Sequence, residues 1–399
     1  MRYTGTLARG IRLPIIKQGD DLAEIITNCI VNASETEGFV LSNKDVVGIT
    51  EGIVAISQGN YATLDQIAED VRQKFPSGEV GVVFPIMSRN RFLNIMKGIA
   101  QGADKVYVLL AYPFDEVGNP IMDINRLDEI SDNLKGLDLE PVPATRFIQE
   151  AGEFKHPFTD MDYIKMFQSI GEHVEVYISN DPRDILKLTS HVLVAEVHSR
   201  FRTKERLQKA GAKSIIMLSD VLASSVSGSG FHPEYGVLGS NLTSEGKLKL
   251  FPRNCNEFVK RVQSNIMERT NGICPEVLVF GDGAFKDPMH GIWELADPVV
   301  SPGYSELLGG QPNEIKLKYV ADQELMSLND AEKEQALKMI IREKNVGNIK
   351  PSENSLDLGT TPRRYADLLG SLCDLMSGSG DKGTPVVLLQ GYFDDFSDK

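Results

Sequence analysis

The sequence lacks the features that mark secreted, membrane-spanning and zinc-binding proteins. It has four cysteines, Cys29, Cys255, Cys274 and Cys373, and none belongs to a CxxC pair. Scattered cysteines argue against a disulfide framework or a zinc site and indicate reduced thiols. No apolar run approaches the ~18–20 residues of a membrane helix, and none of signal-peptide length follows Met1. We therefore expect a cytoplasmic protein without a membrane partner.

Clusters of basic residues are missing too. The chain has 42 Lys and Arg against 56 Asp and Glu, which gives a net charge of −14 at pH 7. Proteins that bind nucleic acid need clustered cations to displace counterions, so neither nucleic acid nor an anionic membrane is an expected partner. A small anionic ligand held with a metal ion remains compatible with this charge, because the ion brings its own positive charge.

The remaining composition is that of an ordinary globular protein, with 41% hydrophobic and 25% charged residues. A length of 399 residues allows two or three domains, or one large domain with an insertion. The sequence contains no GxSxG or HExxH pattern and no catalytic Cys–His signature. The GxGxxG spacing occurs once, at residues 378–383, but it follows a predicted helix instead of a strand. Serine-hydrolase, zinc-protease and dinucleotide-binding functions therefore lose support.

Hydrophobic periodicity divides the chain into strands and helices. Asp21 is placed to cap a helix, and Glu24, three residues later, would complete a capping box. The apolar run at 45–50 predicts a strand that breaks at Glu51-Gly52 and resumes over 53–56. Further strands are predicted at residues 80–84, 105–111, 276–280 and 386–389, and further helices at 322–343 and 362–376.

The stretch from about 150 to 225 is predicted to be a separate α/β unit. Its apolar runs at 174–178, 191–197 and 214–218 alternate with helical patterns, which is typical of βαβ units with a parallel sheet. The segment Ser224–Gly230, SSVSGSG, has the composition of a flexible joint. We therefore expect an inserted unit at 151–230 between two parts of a core, 1–150 and 231–399.

Two loops combine acidic residues with glycine at the ends of predicted elements, where α/β proteins gather ligand sites. Asp282-Gly283 follows a buried strand and could ligate Mg²⁺ or Mn²⁺, although turn chemistry alone explains this pair. The loop Gly378–Gly383 could cradle phosphates, with Lys382 as a cation and Asp381 near a metal. It does not match the P-loop pattern, and a helix C-cap followed by a solvated turn explains it as well.

Two more polar pairs have both a functional and a structural explanation. Asp115 and Asn119 offer hard oxygen ligands from a proline-bounded turn, which is otherwise an ordinary surface turn. Glu196 and His198 alternate onto one face at the end of the strand predicted at 191–197. They could form a metal-ligand pair, but a hydrogen-bonded structural histidine is the simpler explanation.

Both ends of the chain resemble the coenzyme F-420 γ-glutamyl ligase family. Residues 10–23, GIRLPIIKQGDDLA, are similar to the family's opening GIPxIxxGDDLA. Residues 366–378, ADLLGSLCDLMSG, resemble its ADELAxAAxLVMG helix. Residues 383–392, GTPVVLLQGY, resemble its closing GxPxVxxRG strand. The motifs stand in the family's order at the two termini.

This resemblance implies an α+β fold with mixed sheets, in which a bipartite γ-glutamyl-ligase-like core from both termini is interrupted by the α/β unit. The family's enzymes use GTP, a divalent metal and often potassium. They activate a terminal carboxylate as an acyl phosphate, which the amine of glutamate then attacks. The resemblance therefore implies a small carboxylate acceptor and an amino acid as substrates, and a homodimer. GTP or ATP, and Mg²⁺ or Mn²⁺, remain alternatives.

The resemblance also implies roles for individual residues. The residues beside the nucleotide base would be Leu13, Pro14, Ile15 and Ile16. Thr50 and Glu51 would lie at the phosphates, where the composition of the loop described above also places Gly378, Ser379, Gly380 and Lys382. The residues at the metal would be Asp282, Gly283, Asp115, Asn119 and Asp381.

The chain departs from the family pattern at several of these positions. Ile56 stands where the family has a lysine for nucleotide phosphate, and Gln390 replaces the arginine before the closing glycine. Ser379 replaces an acid near the metal, and only Asp381 is close enough in sequence to substitute for it. Three hypotheses follow: a nucleotide-dependent amide ligase, a non-catalytic nucleotide- or metabolite-binding or scaffold descendant, and a metal-dependent phosphohydrolase.

Overall fold

A computed structural model describes the chain except for residues 1–3, 88–91, 116–117, 119, 127, 129–140, 158–159, 198, 244–245, 283–298, 313, 346–362, 379, 396 and 398–399. Contacts within the chain define two compact units. The first unit comprises residues 1–57, 254–281 and the described part of 299–399, and the second is centred on residues 58–253. The boundaries of the inserted unit, predicted from the sequence at residues 150 and 230, remain a prediction.

The described strands are β1 (Leu7–Ile11), β2 (Val46–Thr50), β3 (Tyr61–Ala62), β4 (Glu79–Val83), β5 (Lys105–Leu110), β6 (Val142–Pro143), β7 (Val174–Ile178), β8 (His191–Val194), β9 (Ser214–Met217), β10 (Asn241–Leu242), β11 (Leu248–Lys249), β12 (Glu276–Asp282), β13 (Val299–Tyr304) and β14 (Val386–Gln390). They form three sheets, of five, three and six strands. The fold is therefore mixed α+β, as the sequence predicts.

The described α-helices are α1 (Leu22–Glu37), α2 (Glu51–Gln58), α3 (Leu64–Lys74), α4 (Phe92–Gln101), α5 (Ala144–Ala151), α6 (Tyr163–Gln168), α7 (Arg200–Lys209), α8 (Cys255–Arg269), α9 (Leu317–Tyr319), α10 (Asp330–Asn345) and α11 (Tyr365–Met376). Short 3₁₀ turns cover Pro182–Lys187, Leu218–Asp220 and Glu306–Gly309, and a π-turn covers Val320–Glu324. In the described part of the chain, no helix combines the length and the apolar character needed to cross a bilayer.

The first unit is built on a five-stranded sheet in the order β1-β14-β2-β12-β13. Strand β14 runs antiparallel to both of its neighbours, whereas β2 and β12 are parallel. Because side chains alternate across a strand, Val47 and Ile49 face a core shared with α1 and α8. Val46 faces the other core, which is shared with α11. The sheet is thus covered by helices on both faces.

Helix α1 begins where the sequence predicts, because the Asp21 carboxylate accepts a hydrogen bond from the Glu24 backbone N–H at 3.2 Å. The reciprocal half of the predicted capping box does not form. The Glu24 carboxylate instead accepts from Asn28 and from Arg269 of α8. Only the carboxylate of Asp21 therefore caps this helix end, and Glu24 links α1 to its neighbouring helix.

The strand predicted to resume over residues 53–56 is wrong, because helix α2 occupies Glu51–Gln58. A four-residue apolar run does not distinguish a buried strand from a buried turn of helix. Ile53, Val54 and Ala55 are all buried on this helix. Residue 51 thus begins a helix directly after β2 rather than a turn between two strands.

The second unit contains a six-stranded sheet in the order β6-β7-β5-β4-β8-β9. All its neighbouring strands are parallel except β6, which pairs antiparallel with β7. The predicted parallel sheet is therefore present, and it also includes β4 and β5 from before residue 150. Helix α4 packs on one face and α7 on the other, as in doubly wound α/β proteins.

The interpretation of Ser224–Gly230 as a flexible joint is wrong, because specific hydrogen bonds hold this segment within the second unit. The Gln66 side chain donates to the Ser227 carbonyl at 3.1 Å, and the Ser227 hydroxyl donates to Glu69 at 2.7 Å. The Gly230 N–H donates to the carbonyl of Tyr61 on β3 at 2.6 Å. Small residues occur here because the backbones approach closely, and a Cβ at Gly230 would lie 2.5 Å from the Asn60 side-chain oxygen.

Candidate active site

One edge of the five-stranded sheet collects most of the nucleotide-side residues predicted from the sequence. Strand register places Ile11 opposite Val386, Val386 opposite Ile49, and Thr50 opposite Phe280. The carboxyl ends of β1, β2 and β12 therefore meet the amino end of β14 at a single edge. Segments that leave this edge include residues 12–20, the start of α2 and the loop 378–385. Carboxyl ends of neighbouring strands are a common ligand position in α/β architectures.

Backbone hydrogen bonds join these segments. The N–H of Leu13 donates to the carbonyl of Gly383 at 3.1 Å, and the N–H of Thr50 donates to the carbonyl of Pro385 at 3.0 Å. Two segments from the amino-terminal part of the sequence are therefore fixed to one loop from its carboxyl-terminal part. Leu13 and Ile16 pack against the apolar core, whereas Ile15 is 88% exposed. Pro14 is exposed too, so Pro14 and Ile15 are the apolar side chains of this segment that are open to a ligand.

The loop between α11 and β14 is closed by a pair of backbone hydrogen bonds. The N–H groups of Gly378 and Thr384 each donate to the other residue's carbonyl, at 3.1 and 2.7 Å. Gly383 has φ +63°, a left-handed conformation that favours glycine. Within the loop, a Cβ added at Gly380 would meet no atom within 4 Å. An open glycine surface of this kind lets a phosphate approach the backbone.

The charged residues of the loop differ in their contacts. Asp381 and Lys382 are both exposed, and the stem of Lys382 lies against Gly378, where an added Cβ would be 2.7 Å from its Cδ. The loop therefore presents one cation and one carboxylate beside a surface without side chains. Ser379, which the sequence also places at the phosphates, lies outside the described residues.

Glu51 is the acidic residue that the fold places most firmly at this edge. It is 7% exposed, and it begins α2 directly after β2. Its side chain packs over Gly281 of β12, because a Cβ at Gly281 would lie 2.1 Å from the Glu51 Cγ. Burial, together with the nearby Glu51 charge, raises the pKa of the Cys255 thiol to about 12.

The position of Glu51 limits its chemical role. A buried carboxylate repels a phosphate unless a cation lies between them. Magnesium held with a nucleotide needs only one or two protein carboxylates in addition to phosphate oxygens and water. Glu51 and Asp381 supply hard oxygens of this type, so the donor set at the edge is compatible with such an ion. No cluster of three His, Cys, Asp or Glu side chains that could hold a metal occurs among the described residues.

The predicted metal ligands belong to both units, and in part to residues that the structure does not describe. Asp115 belongs to the second unit, where its carboxylate lies 3.4 Å from the His156 Nε2 and both side chains are buried. Asp282 is the last residue of β12. Gly283 and Asn119 lie outside the described residues. The metal site proposed from the sequence therefore remains a prediction.

Gln390 lies at the opposite edge of the sheet, where it has a structural explanation. Its amide donates to the Val40 carbonyl and to the buried Asp45 carboxylate, both at 2.9 Å, and it accepts from Arg9 at 3.1 Å. A cavity of about 550 Å³ at this edge is lined by Gln390 and Asp45 but by none of the predicted site residues. The departure at residue 390 is therefore not at the edge where Leu13 and Thr50 contact the 383–385 segment.

The close contact between Glu51 and Gly281 was not predicted from the sequence. The signal available was a glycine at the end of a buried strand, which often marks a close approach by another group. For the pair suggested at the end of β8, Glu196 is buried and His198 lies outside the described residues.

Comparison with known proteins supports the family suggested by the terminal motifs. The family model for F420-0:gamma-glutamyl ligase matches residues 10–391, so the match spans both units. A search of curated proteins found no match. The family supports a ligase role in coenzyme maturation, with small molecules as substrates. Because its model matches nearly the whole sequence, the chain belongs to the F420-0:gamma-glutamyl ligase family.

Proposed function

We propose that this protein is a nucleotide- and divalent-metal-dependent amide ligase. It would use GTP in preference to ATP and attach glutamate through a γ-glutamyl linkage to a carboxylate acceptor, as in maturation of the deazaflavin coenzyme. The observation that carries the proposal is the sheet edge where Leu13 and Thr50 are hydrogen-bonded to the 383–385 segment. The family's two terminal motifs meet there in three dimensions.

Each part of the edge suits one part of a nucleotide. The exposed glycine surface at Gly380 accommodates phosphate oxygens near the backbone, and Lys382 neutralises part of their charge. Ile15 offers an exposed apolar surface for the base. Glu51 and Asp381 would hold Mg²⁺ or Mn²⁺ with the phosphates, and potassium would be an additional ion.

The chemistry follows from positioning and charge neutralisation. Bound GTP supplies the γ-phosphoryl group that converts the acceptor carboxylate to an acyl phosphate. The glutamate amine then attacks the acyl carbon, the amide bond forms, and inorganic phosphate leaves. The residues of the edge bind and orient the triphosphate, and Lys382 offsets the charge that develops on the transferred group.

The main alternative is a non-catalytic descendant that binds a nucleotide or metabolite, or acts as a scaffold. The observation in its favour is Ile56, which lies half-buried on α2 where the family has a phosphate-binding lysine. Loss of this cation weakens the electrostatic case for catalysis. Backbone N–H groups and a metal can replace one cation, so the ligase remains the better account.

Titration calorimetry of GTP and ATP, with and without Mn²⁺, tests the proposal. Lys382→Ala should weaken GTP binding by about tenfold, as expected for one lost charge-assisted contact. Asp381→Asn and Asp282→Asn should weaken the metal-dependent part of binding. Lys213→Ala, an exposed lysine of the second unit, is the matched control. The protein should elute as a homodimer in size-exclusion chromatography.

Turnover distinguishes the two functions. The ligase predicts release of GDP and phosphate only when glutamate and a carboxylate acceptor are both present. Nucleotide binding without any turnover over a panel of acceptors would support the non-catalytic alternative. If neither nucleotide binds under any metal condition, the proposed ligase activity is wrong.

A further inference from the structure

The segment that follows β1 is held near both of its ends. The N–H of Leu13 donates to the carbonyl of Gly383 at 3.1 Å, and the N–H of Gly19 donates to the carbonyl of Ser57 at 2.9 Å. Every residue of this segment, 12–20, is described and belongs to the first unit. The segment therefore joins the loop that precedes β14 to the end of α2, along the edge where the nucleotide would bind.

Arg12 is the first residue of this segment. Its guanidinium is exposed, and it forms no hydrogen bond or ion pair with any described residue. Other arginines of the first unit are paired, as Arg261 is with Asp21 and Arg364 is with Asp367. No contact among the described residues thus gives Arg12 a structural role.

Strand alternation places Arg12 on the face of the sheet that carries α11. Side chains of a strand point alternately to its two faces. Leu13 packs against the core shared with α1 and α8, on one face. Ala8 packs against the core shared with α11, and a Cβ at Gly10 would lie 3.0 Å from the Thr384 side chain. Arg12 continues the series of Ala8 and Gly10, so it lies on the face from which the loop between α11 and β14 departs.

The edge needs more positive charge than this loop supplies. A nucleotide triphosphate carries several negative charges, and the edge adds the carboxylates of Glu51 and Asp381. The cations available are Lys382 and one divalent ion, while Ile56 is apolar. Negative charges at close range oppose binding unless cations offset them. Arginine suits this task, because its planar fork donates two parallel hydrogen bonds to phosphate oxygens.

We propose that Arg12 binds the triphosphate of the nucleotide and supplies there the positive charge that Ile56 does not provide. This role rests on the proposed function, because it assigns a further binding residue to the same site. Arg12 and Leu13 are also the two residues by which the opening GIRLP of this chain is longer than the family's GIP. The extra charge is therefore adjacent to the residue whose N–H fixes the segment to the loop.

Calorimetry with the full-length protein and Mn²⁺ tests this role with two ligands, GTP and inorganic tripolyphosphate. Arg12→Ala should weaken the binding of both by about tenfold to hundredfold, as expected for the loss of a charged hydrogen-bonding group. Arg12→Lys should recover part of this loss, because it keeps the charge but not the fork. Arg202→Ala, which removes an exposed arginine from the second unit, is the matched control and should bind both ligands as the unmodified protein does.

Two further measurements separate a phosphate contact from a structural role. Added salt should weaken GTP binding less in Arg12→Ala than in the unmodified protein, because the variant has one fewer charge pair for salt to screen. The unfolding temperature of ligand-free Arg12→Ala should stay unchanged, since the exposed guanidinium has no described partner. A lower unfolding temperature with an unchanged salt dependence would overturn the phosphate contact in favour of a structural role.

The outcomes for Arg12 and for the ligase are distinguishable. If GTP binds equally well to the unmodified protein and to Arg12→Ala, the role of Arg12 is wrong and the ligase proposal stands. Weaker GTP binding with unchanged tripolyphosphate binding would also contradict the role, since Arg12 would then contact the base or the ribose. If neither ligand binds the unmodified protein, both proposals are wrong.

Discussion

Replacement of Gly281 by alanine tests the packing at the carboxyl ends of β2 and β12. The added Cβ would lie 2.1 Å from the Cγ and 3.0 Å from the Cβ of Glu51. Neither atom is the free end of a flexible chain, and Glu51 is 7% exposed. The residue can therefore move only if the start of α2 moves as well. Overpacking of this kind costs about 1–3 kcal/mol.

Urea unfolding followed by circular dichroism measures this loss, and hydrogen exchange should locate it in β2, β12 and α2 of the first unit. Gly5→Ala is the matched control, because a Cβ there meets no atom within 4 Å. The decisive measurement is a double-mutant cycle. In a Glu51→Ala background the 2.1 Å contact with the Cγ is absent and only the 3.0 Å contact with the Cβ remains, so Gly281→Ala should cost at least about 0.5 kcal/mol less than in the unmodified protein. An equal cost in both backgrounds, or no cost in either, would refute the contact.

Three further predictions concern stability. Burial lowers the pKa of His232 to about 4, so the unfolded chain binds the proton more tightly than the folded protein does. The free energy of unfolding found above pH 6.5 should therefore fall by up to about 2 kcal/mol as the pH drops towards 4, after an allowance for solvent screening. Urea titrations at pH 7 and pH 4.5 check this, and His232→Gln should flatten the dependence of stability on pH. Gly48→Ala should cost about 1–3 kcal/mol, because its Cβ would lie 2.3 Å from the Cys373 sulfur, and a second substitution, Cys373→Ala, should recover most of that loss in thermal unfolding. Asn60→Ala should cost about 2–4 kcal/mol, since the fully buried amide donates to two backbone carbonyls and accepts from Arg253; an unchanged urea midpoint would contradict this.

Periodicity and terminal motifs predicted much of the first unit, because its strands carry continuous apolar runs and α1 begins at a recognisable cap. The same rules failed at α2, where a run of four apolar residues fits a strand as well as a helix. They also failed at Ser224–Gly230, because small residues occur both in flexible linkers and where two backbones approach closely. Local sequence does not encode which of these applies; the packing partner decides.

The candidate site itself remains a prediction. The resemblance suggested Leu13 and Thr50, the composition of the 378–383 loop suggested that segment, and the sheet register explains why these segments, so far apart in sequence, meet. The Glu51–Gly281 contact depends on the parallel pairing of β2 and β12, which connects residues more than two hundred positions apart. The buried contact between Asp115 and His156 could likewise not be predicted from the sequence, because it depends on tertiary structure.

The position of β14 has a consequence for the order in which the chain is made. This strand lies between β1 and β2 in the sheet, although it is synthesised after every other strand of that sheet. Until then β1 has no partner in its sheet, and β2 exposes one edge. The six-stranded sheet of the second unit uses only residues between 79 and 217, so it can form before the five-stranded sheet of the first unit is complete. During that interval the unpaired strands of the first unit are the part of the nascent chain most exposed to aggregation and most dependent on chaperones.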